Sequence, residues 1–155
     1  MISSVPWGGD AVLLKDGSIY CGEWGEEGLR NGKGRCEMRD GSVYDGMWNC
    51  DLPNGKGRME HHNGDVFEGS WKDGKAHGFG ILRKADGLIF EGFFEFDKQC
   101  GKGEETFPDG SVYKGEFYMG YKNGHGRFEY DGNYYDGEFV NGNIHGRGTY
   151  VWKDG

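Results

Sequence analysis

The chain has 155 residues, with 26 acidic and 18 basic side chains, a net charge of −8, and no apolar run near the ~18 residues a membrane span requires. That acidic balance excludes nucleic acid as the main partner, because neutralising phosphates needs a basic face, and without a signal-like N-terminal segment the chain reads as cytoplasmic. Leu, Ile, Val and Phe make up only about 18% of it against 32 glycines, a composition that signals disorder unless the sequence has a period.

A period is present. Asp16-Gly17, Asp40-Gly41, Asn63-Gly64, Asp86-Gly87, Asp109-Gly110, Asp131-Gly132 and Asp154-Gly155 recur every 22 to 24 residues, the signature of a repeat array. After each of the first six comes an alternating aromatic-x-Gly-x-aromatic run: Tyr20 to Trp24, Tyr44 to Trp48, Phe67 to Trp71, Phe90 to Phe94, Tyr113 to Phe117 and Tyr135 to Phe139. Before most of the turns lies a Gly-x-Gly-x-apolar run, such as Gly32, Gly34 and Cys36. Period-two apolar residues mean strands with one occupied face. Hairpins are therefore expected at 8–24, 32–48, 55–71, 78–94, 101–117 and 124–139, with a truncated seventh at 146–155, all within one array over 1–155.

The register follows from keeping both apolar stripes on one face. A three-residue turn, Arg39-Asp40-Gly41, sets Tyr44 opposite Cys36, Gly46 opposite Gly34 and Trp48 opposite Gly32. This is the type I turn plus left-handed glycine common in such hairpins, and Pro108-Asp109-Gly110 suits it. The fifth unit is one residue shorter, so its turn should shrink to Asp131-Gly132 with Phe128 still facing Tyr135. The same register sets Arg35 opposite Asp45, Arg58 opposite Glu68, Glu104 opposite Lys114, Lys102 opposite Glu116 and Arg127 opposite Asp136 on the other face. Ile81 opposite Glu91 breaks that pattern. The expected fold is all-β: an elongated, twisted, single-layer array of antiparallel hairpins without a large core.

In such a sheet each second aromatic should cover the glycine opposite, as Trp48 would cover Gly32, while the first aromatics and the positions before the turns stay partly uncovered. The candidate protein-binding groove is thus Tyr44, Met59, Phe67, Trp71, Leu82, Phe90, Phe94, Phe107, Tyr113, Phe117 and Phe128, suited to a helical or extended segment. Arg35, Lys56 and Arg58 are the candidates for a lipid headgroup. The strand around Thr149 to Trp152 invites pairing with a second copy. Glu23, Glu116 and Glu138 recur once per repeat and so do not converge as a catalytic set. The four cysteines lack metal-ligand spacing, and neither metal nor cofactor is expected. The Gly-Lys-Gly of residues 32–34 is followed by a strand, whereas a phosphate loop needs a helix N-terminus.

The pattern Tyr-x-Gly-x-Trp/Phe, a six- or seven-residue loop, Asn/His-Gly-x-Gly and an Asp-Gly turn closely resembles the MORN (membrane occupation and recognition nexus) repeat, over residues 8 to 155. The resemblance implies a non-enzymatic scaffold that binds protein segments in a groove, in cytoskeletal or membrane-associated organisation. It implies, as alternatives, self-association, phosphoinositide or membrane targeting, or service as the accessory arm of a larger enzyme. Asp10 in place of a glycine, Glu105 in place of an apolar residue and Cys100 in place of Asn or His depart from the pattern.

Overall fold

A computed structural model describes residues 10–155, so Gly8, where the first hairpin was expected to begin, lies outside the described residues. All regular structure in them is antiparallel strand: β1 (Val12–Leu13), β2 (Ile19–Trp24), β3 (Arg30–Glu37), β4 (Val43–Asn49), β5 (Leu52–Glu60), β6 (Val66–Lys72), β7 (Lys75–Arg83), β8 (Ile89–Glu95), β9 (Lys98–Thr106), β10 (Val112–Tyr118), β11 (Tyr121–Tyr130), β12 (Asn133–Val140) and β13 (Asn143–Val151). Residues to Ala76 form one compact unit and those from His77 a second. Within each, strands pair with their sequence neighbours.

The expected register holds. Cys36 faces Tyr44, Gly34 faces Gly46 and Gly32 faces Trp48. The turn between them closes as anticipated: the Met38 N–H donates to Ser42 O (2.7 Å), the Gly41 N–H donates to Met38 O (2.9 Å), and Gly41 takes a φ of 93°. An aspartate precedes this glycine because its carboxylate accepts the Ser42 N–H, 2.8 Å from Asp40 Oδ1, a local side-chain turn that pre-bends the chain. Asp109 does the same for Ser111 at 2.9 Å. The shortened turn is Asp131-Gly132, both residues at positive φ, with Phe128 opposite Tyr135 and Gly124 opposite Phe139.

The connections between hairpins differ from expectation. The six- or seven-residue loops are mostly strand, closed by two-residue turns at Cys50-Asp51, Asp73-Gly74, Phe96-Asp97, Met119-Gly120 and Asn141-Gly142, every residue of which has positive φ. These are the primed turns whose twist matches that of the flanking strands. They let β5 begin at Leu52, not Gly55. Extra length is absorbed in a bulge: Gly46 faces Gly57 and Trp48 faces Pro53, so Met47 stands against Asn54, Gly55 and Lys56. Gly55, at φ 96°, supplies the left-handed backbone that this bulge needs. The residue before it clamps the neighbouring turn, as Asn54 Nδ2 does on Asp73 Oδ1 at 3.3 Å and His77 Nδ1 does in accepting the Phe96 N–H at 3.4 Å.

Candidate functional site

Each unit has an aromatic face and a glycine-and-charge face, and they carry different duties. On the aromatic face of the first unit, Trp24, Tyr20, Trp48, Tyr44, Trp71 and Phe67 meet edge to face in an unbroken zigzag, with centroids 4.8 to 5.5 Å apart and planes at 78 to 89°. In the second unit Phe94, Phe90, Phe117, Tyr113, Phe139 and Tyr135 do the same at 5.0 to 5.4 Å. Each T-shaped contact adds about 0.5 to 1.5 kcal/mol beyond area burial.

The first aromatics cover glycine, a duty expected of the second ones. At Gly32, opposite Trp48, a Cβ would overlap the Glu23 carboxylate, and its φ is 86°. The first aromatics instead lie flat on glycine, since a Cβ on Gly34 would strike the Tyr20 ring, one on Gly57 the Tyr44 ring and one on Gly126 the Tyr113 ring. Each of these tyrosines reaches along its own strand to donate to a carbonyl three residues on, Tyr44 to Met47 O at 2.8 Å and Tyr113 to Glu116 O at 2.9 Å. Burial pushes the Tyr20 and Tyr113 hydroxyls up to about 12 and raises Tyr44 as well. The second aromatic caps the row from the side, and the Trp48 and Trp71 indole N–H groups donate to Gly34 O (2.9 Å) and Gly57 O (3.0 Å).

Of the residues expected to line a groove, Tyr44, Met59, Phe67, Trp71, Phe90, Phe94, Tyr113 and Phe117 are buried, while Leu82, Phe107 and Phe128 are half-buried. Phe107 and Phe128 do meet, with centroids 6.1 Å apart. Glu105, the departure from the apolar pattern, is buried beside them and is answered by Lys122 Nζ at 3.4 Å, which also lies 4.9 Å over the Phe107 ring. Arg30 holds the equivalent place in the first unit. Its guanidinium lies 4.4 Å over the Trp48 ring, and its Nε donates to Asp51 Oδ1 at 2.6 Å, which holds the Asp51 carboxyl below the usual range. Neither pair was legible, because each joins residues of different repeats.

The recurrent glutamates are structural: Glu116 Oε2 accepts the His125 N–H and Glu138 Oε2 the Arg147 N–H, both at 2.7 Å, and Glu23 accepts that of Lys33 at 3.1 Å. Among the described residues no group of three or more His, Cys, Asp or Glu side chains is placed to hold a metal ion, and no helix is long and apolar enough to cross a membrane.

The open grooves lie on the opposite face. In the first unit one of about 490 Å³ is lined by Lys33, Asp45, Met47, Lys56, Arg58 and Glu68 with Gly46, Gly57 and Gly69. Two of the three lipid-headgroup candidates, Lys56 and Arg58, meet there. Lys56 Nζ donates to Ser70 Oγ at 3.1 Å, and Arg58 pairs with Glu60 along its own strand at 3.2 Å, not with Glu68 across from it. Arg35 stands in the same cross-strand row as Arg58, between Cys21 and Asp45. In the second unit a groove of about 750 Å³ runs from Phe79 and Phe93 past Glu91, Glu104, Lys102, Lys114 and Arg127 to His125 and Asp136. Arg127 bonds Glu129 at 2.8 Å, and Asp136 is taken by His125 at 2.7 Å. The Ile81 and Glu91 pairing exists as expected, and its reason is now visible: Ile81 belongs with an apolar end of this face formed by Phe79 and Phe93, whose rings lie 5.7 Å apart.

A family model of the MORN repeat matches residues 20–43, 44–66, 67–89, 90–112, 113–133 and 135–155. No curated protein matches the chain. Among solved structures, the TCP domain of Drosophila melanogaster SAS-4 (dCPAP), in complex with a proline-rich motif of Ana2 (dSTIL), is similar at 12% identity over 88% of this chain and 81% of that one, with a TM-score of 0.46. The wild-type TCP10 domain of Danio rerio CPAP is similar at 13% identity over 83% of this chain and 73% of that one, with a TM-score of 0.38.

Proposed function

The chain belongs to the MORN repeat family, and from that premise we propose that it is a non-enzymatic scaffold that holds segments of partner proteins in the grooves of its glycine-lined face. The observation that carries this reading is the division of labour between the faces. The aromatic row is consumed in packing on its own glycines, whereas the grooves of about 490 and 750 Å³ stay open and carry exposed side chains from successive strands. The floor of each groove is the backbone at Gly46 and Gly57, or at Gly92, Gly103 and Gly115, whose Cβ positions point to the aromatic face, so a bound chain can approach the sheet there. In this reading Tyr44, Trp71, Phe90 and Phe94 act through the sheet they hold, and Leu82, Phe107 and Phe128 offer a smaller contact on the other side. Arg35, Lys56 and Arg58 are interleaved with Asp45 and Glu68, which favours a protein over an anionic headgroup.

The test is photocrosslinking in cells, with a benzoylphenylalanine placed at Met47, Phe93 or, on the aromatic face, Phe90. Discrete protein adducts from Met47 and Phe93 are expected. A yield at both sites no greater than that at Phe90 sinks the reading. A second reading, pairing of two copies along β13, is favoured by exposed Ile144, Tyr150 and Trp152. Light scattering that shows a strict monomer at high concentration removes it.

A further inference from the structure

The charges on the two open faces are ordered differently, and the difference specifies what the second groove takes. In the first unit the row across the sheet reads Arg35, Asp45, Arg58, Glu68, each facing its neighbour, so every charge has an opposite beside it. In the second unit the same row reads Glu91, Glu104, Lys114, Arg127. Two carboxylates face one another and then two cations do, an order that costs stability in a free sheet. Glu91, Glu104, Lys102 and Lys114 make no ion pair among the described residues. At the acidic end stand Phe79 and Phe93, 43% and 50% exposed beside Ile81. From there the groove runs apolar, then acidic, then basic, and closes on Asp136, which faces Arg127 and is taken by His125.

We propose that this groove is a polarised docking site for an extended protein segment of complementary order: an apolar side chain seated on Phe79 and Phe93, a basic one between Glu91 and Glu104, and an acidic one between Lys114 and Arg127. The inference deepens the scaffold reading and rests on it. Strands are spaced about 4.8 Å apart, so the acidic and basic pairs are centred about 10 Å from each other, which three residues of extended chain span at about 3.3 Å per residue. The facing like charges are then offset by the guest, and reversing its order sets like against like, the repulsive element that specificity requires.

The experiment is selection of binders from a displayed random peptide library against the whole chain and against the double variant Glu91→Lys, Glu104→Lys. All the altered side chains are exposed, and circular dichroism melts verify that the variant is folded. Wild-type selections are expected to enrich an apolar residue followed by Lys or Arg and, about three residues on, Asp or Glu, with at least tenfold loss of binding to the variant. The variant should select an acidic residue where wild type selects a basic one. Peptides that lose binding with Phe79→Ser and Phe93→Ser but ignore the charge reversal overturn the polarity while leaving the docking groove standing. Peptides that ignore all four substitutions overturn both.

Discussion

The first unit places Trp24, Trp48 and Trp71 at the second aromatic position, where the second places Phe94, Phe117 and Phe139. The ring geometry is nearly the same in both, but Trp48 and Trp71 add a hydrogen bond to a glycine carbonyl across the sheet, and phenylalanine has no donor to offer. On the opposite face the contrast runs the same way, with alternating charges in the first unit and blocks of like charge in the second. The first unit sets opposite charges beside one another; the second sets like charges together and leaves Phe79 and Phe93 exposed. A repeat can thus keep its backbone plan while the order of charges on its open face changes.

That contrast can be broken most severely at the aromatic row. Phe90→Ala removes a fully buried ring that touches both Phe94 and Phe117; a loss of about 3 to 5 kcal/mol is expected in denaturant unfolding, with hydrogen exchange accelerated in the second unit first. Trp48→Phe converts a first-unit position into the second-unit type and should cost about 1 to 3 kcal/mol, because Gly34 O is left without its donor. Exchange measured strand by strand should show that loss around β3 and β4.

Alkaline titration acts on both units through their buried tyrosines. The Tyr20 and Tyr113 hydroxyls are raised by burial to about 12 from an ordinary 10.0, so their contribution is fully present below pH 10 and is lost as pH rises through about 12. Tyrosinate absorbance at 295 nm should therefore appear together with loss of strand signal. Phe90, which replaces a tyrosine in the second unit, leaves that position insensitive. In acid the turns respond instead: hydrogen bonds from the Ser18 side chain and N–H hold Asp16 below its ordinary 3.8, and those from Ser111 do the same for Asp109. What these carboxylates contribute is present above pH 3.8 and fades as pH falls through their lower folded values, read as exchange at the Ser18 and Ser111 amides.

The smallest expected effect is the response to salt. Raising ionic strength from 0.01 to 0.5 M should protect β8 and β9 by a few tenths of a kcal/mol, because it screens Glu91 from Glu104. It should slightly weaken β3 and β4, where Arg35 faces Asp45. A shift of the same sign in both units contradicts the difference in charge order.

Much of the fold was legible in the sequence because period-two aromatics and the Asp-Gly turns act within one hairpin. Cys36 opposite Tyr44 follows from turn length alone, and so does the tightened turn at Asp131-Gly132. The primed turns were harder to see, since Cys50-Asp51 and Phe96-Asp97 contain no glycine, although Asp73-Gly74 and Asn141-Gly142 carried the usual dipeptide signal. The covering of Gly34 and Gly57 by Tyr20 and Tyr44 was not anticipated because it depends on how far a ring leans along its strand, which register does not specify. The pairs Lys122 with Glu105 and Arg30 with Asp51 span repeats and leave no periodic trace. Phe79 and Phe93 were not singled out; only Ile81 opposite Glu91 stood out as an exception to the charge pattern, and its meaning required knowing which face stays open.

The proposed scaffold role stands on the division between a packed aromatic face and an open face lined by glycine backbone and charges. Hydroxyl-radical footprinting with residue-level mass spectrometry tests it on the free chain, through phenylalanines that alternate between faces of one strand. Strong oxidation of Phe79 and Phe93 and near-complete protection of Phe90 and Phe94 are expected. Equal oxidation of Phe93 and Phe94 would contradict it.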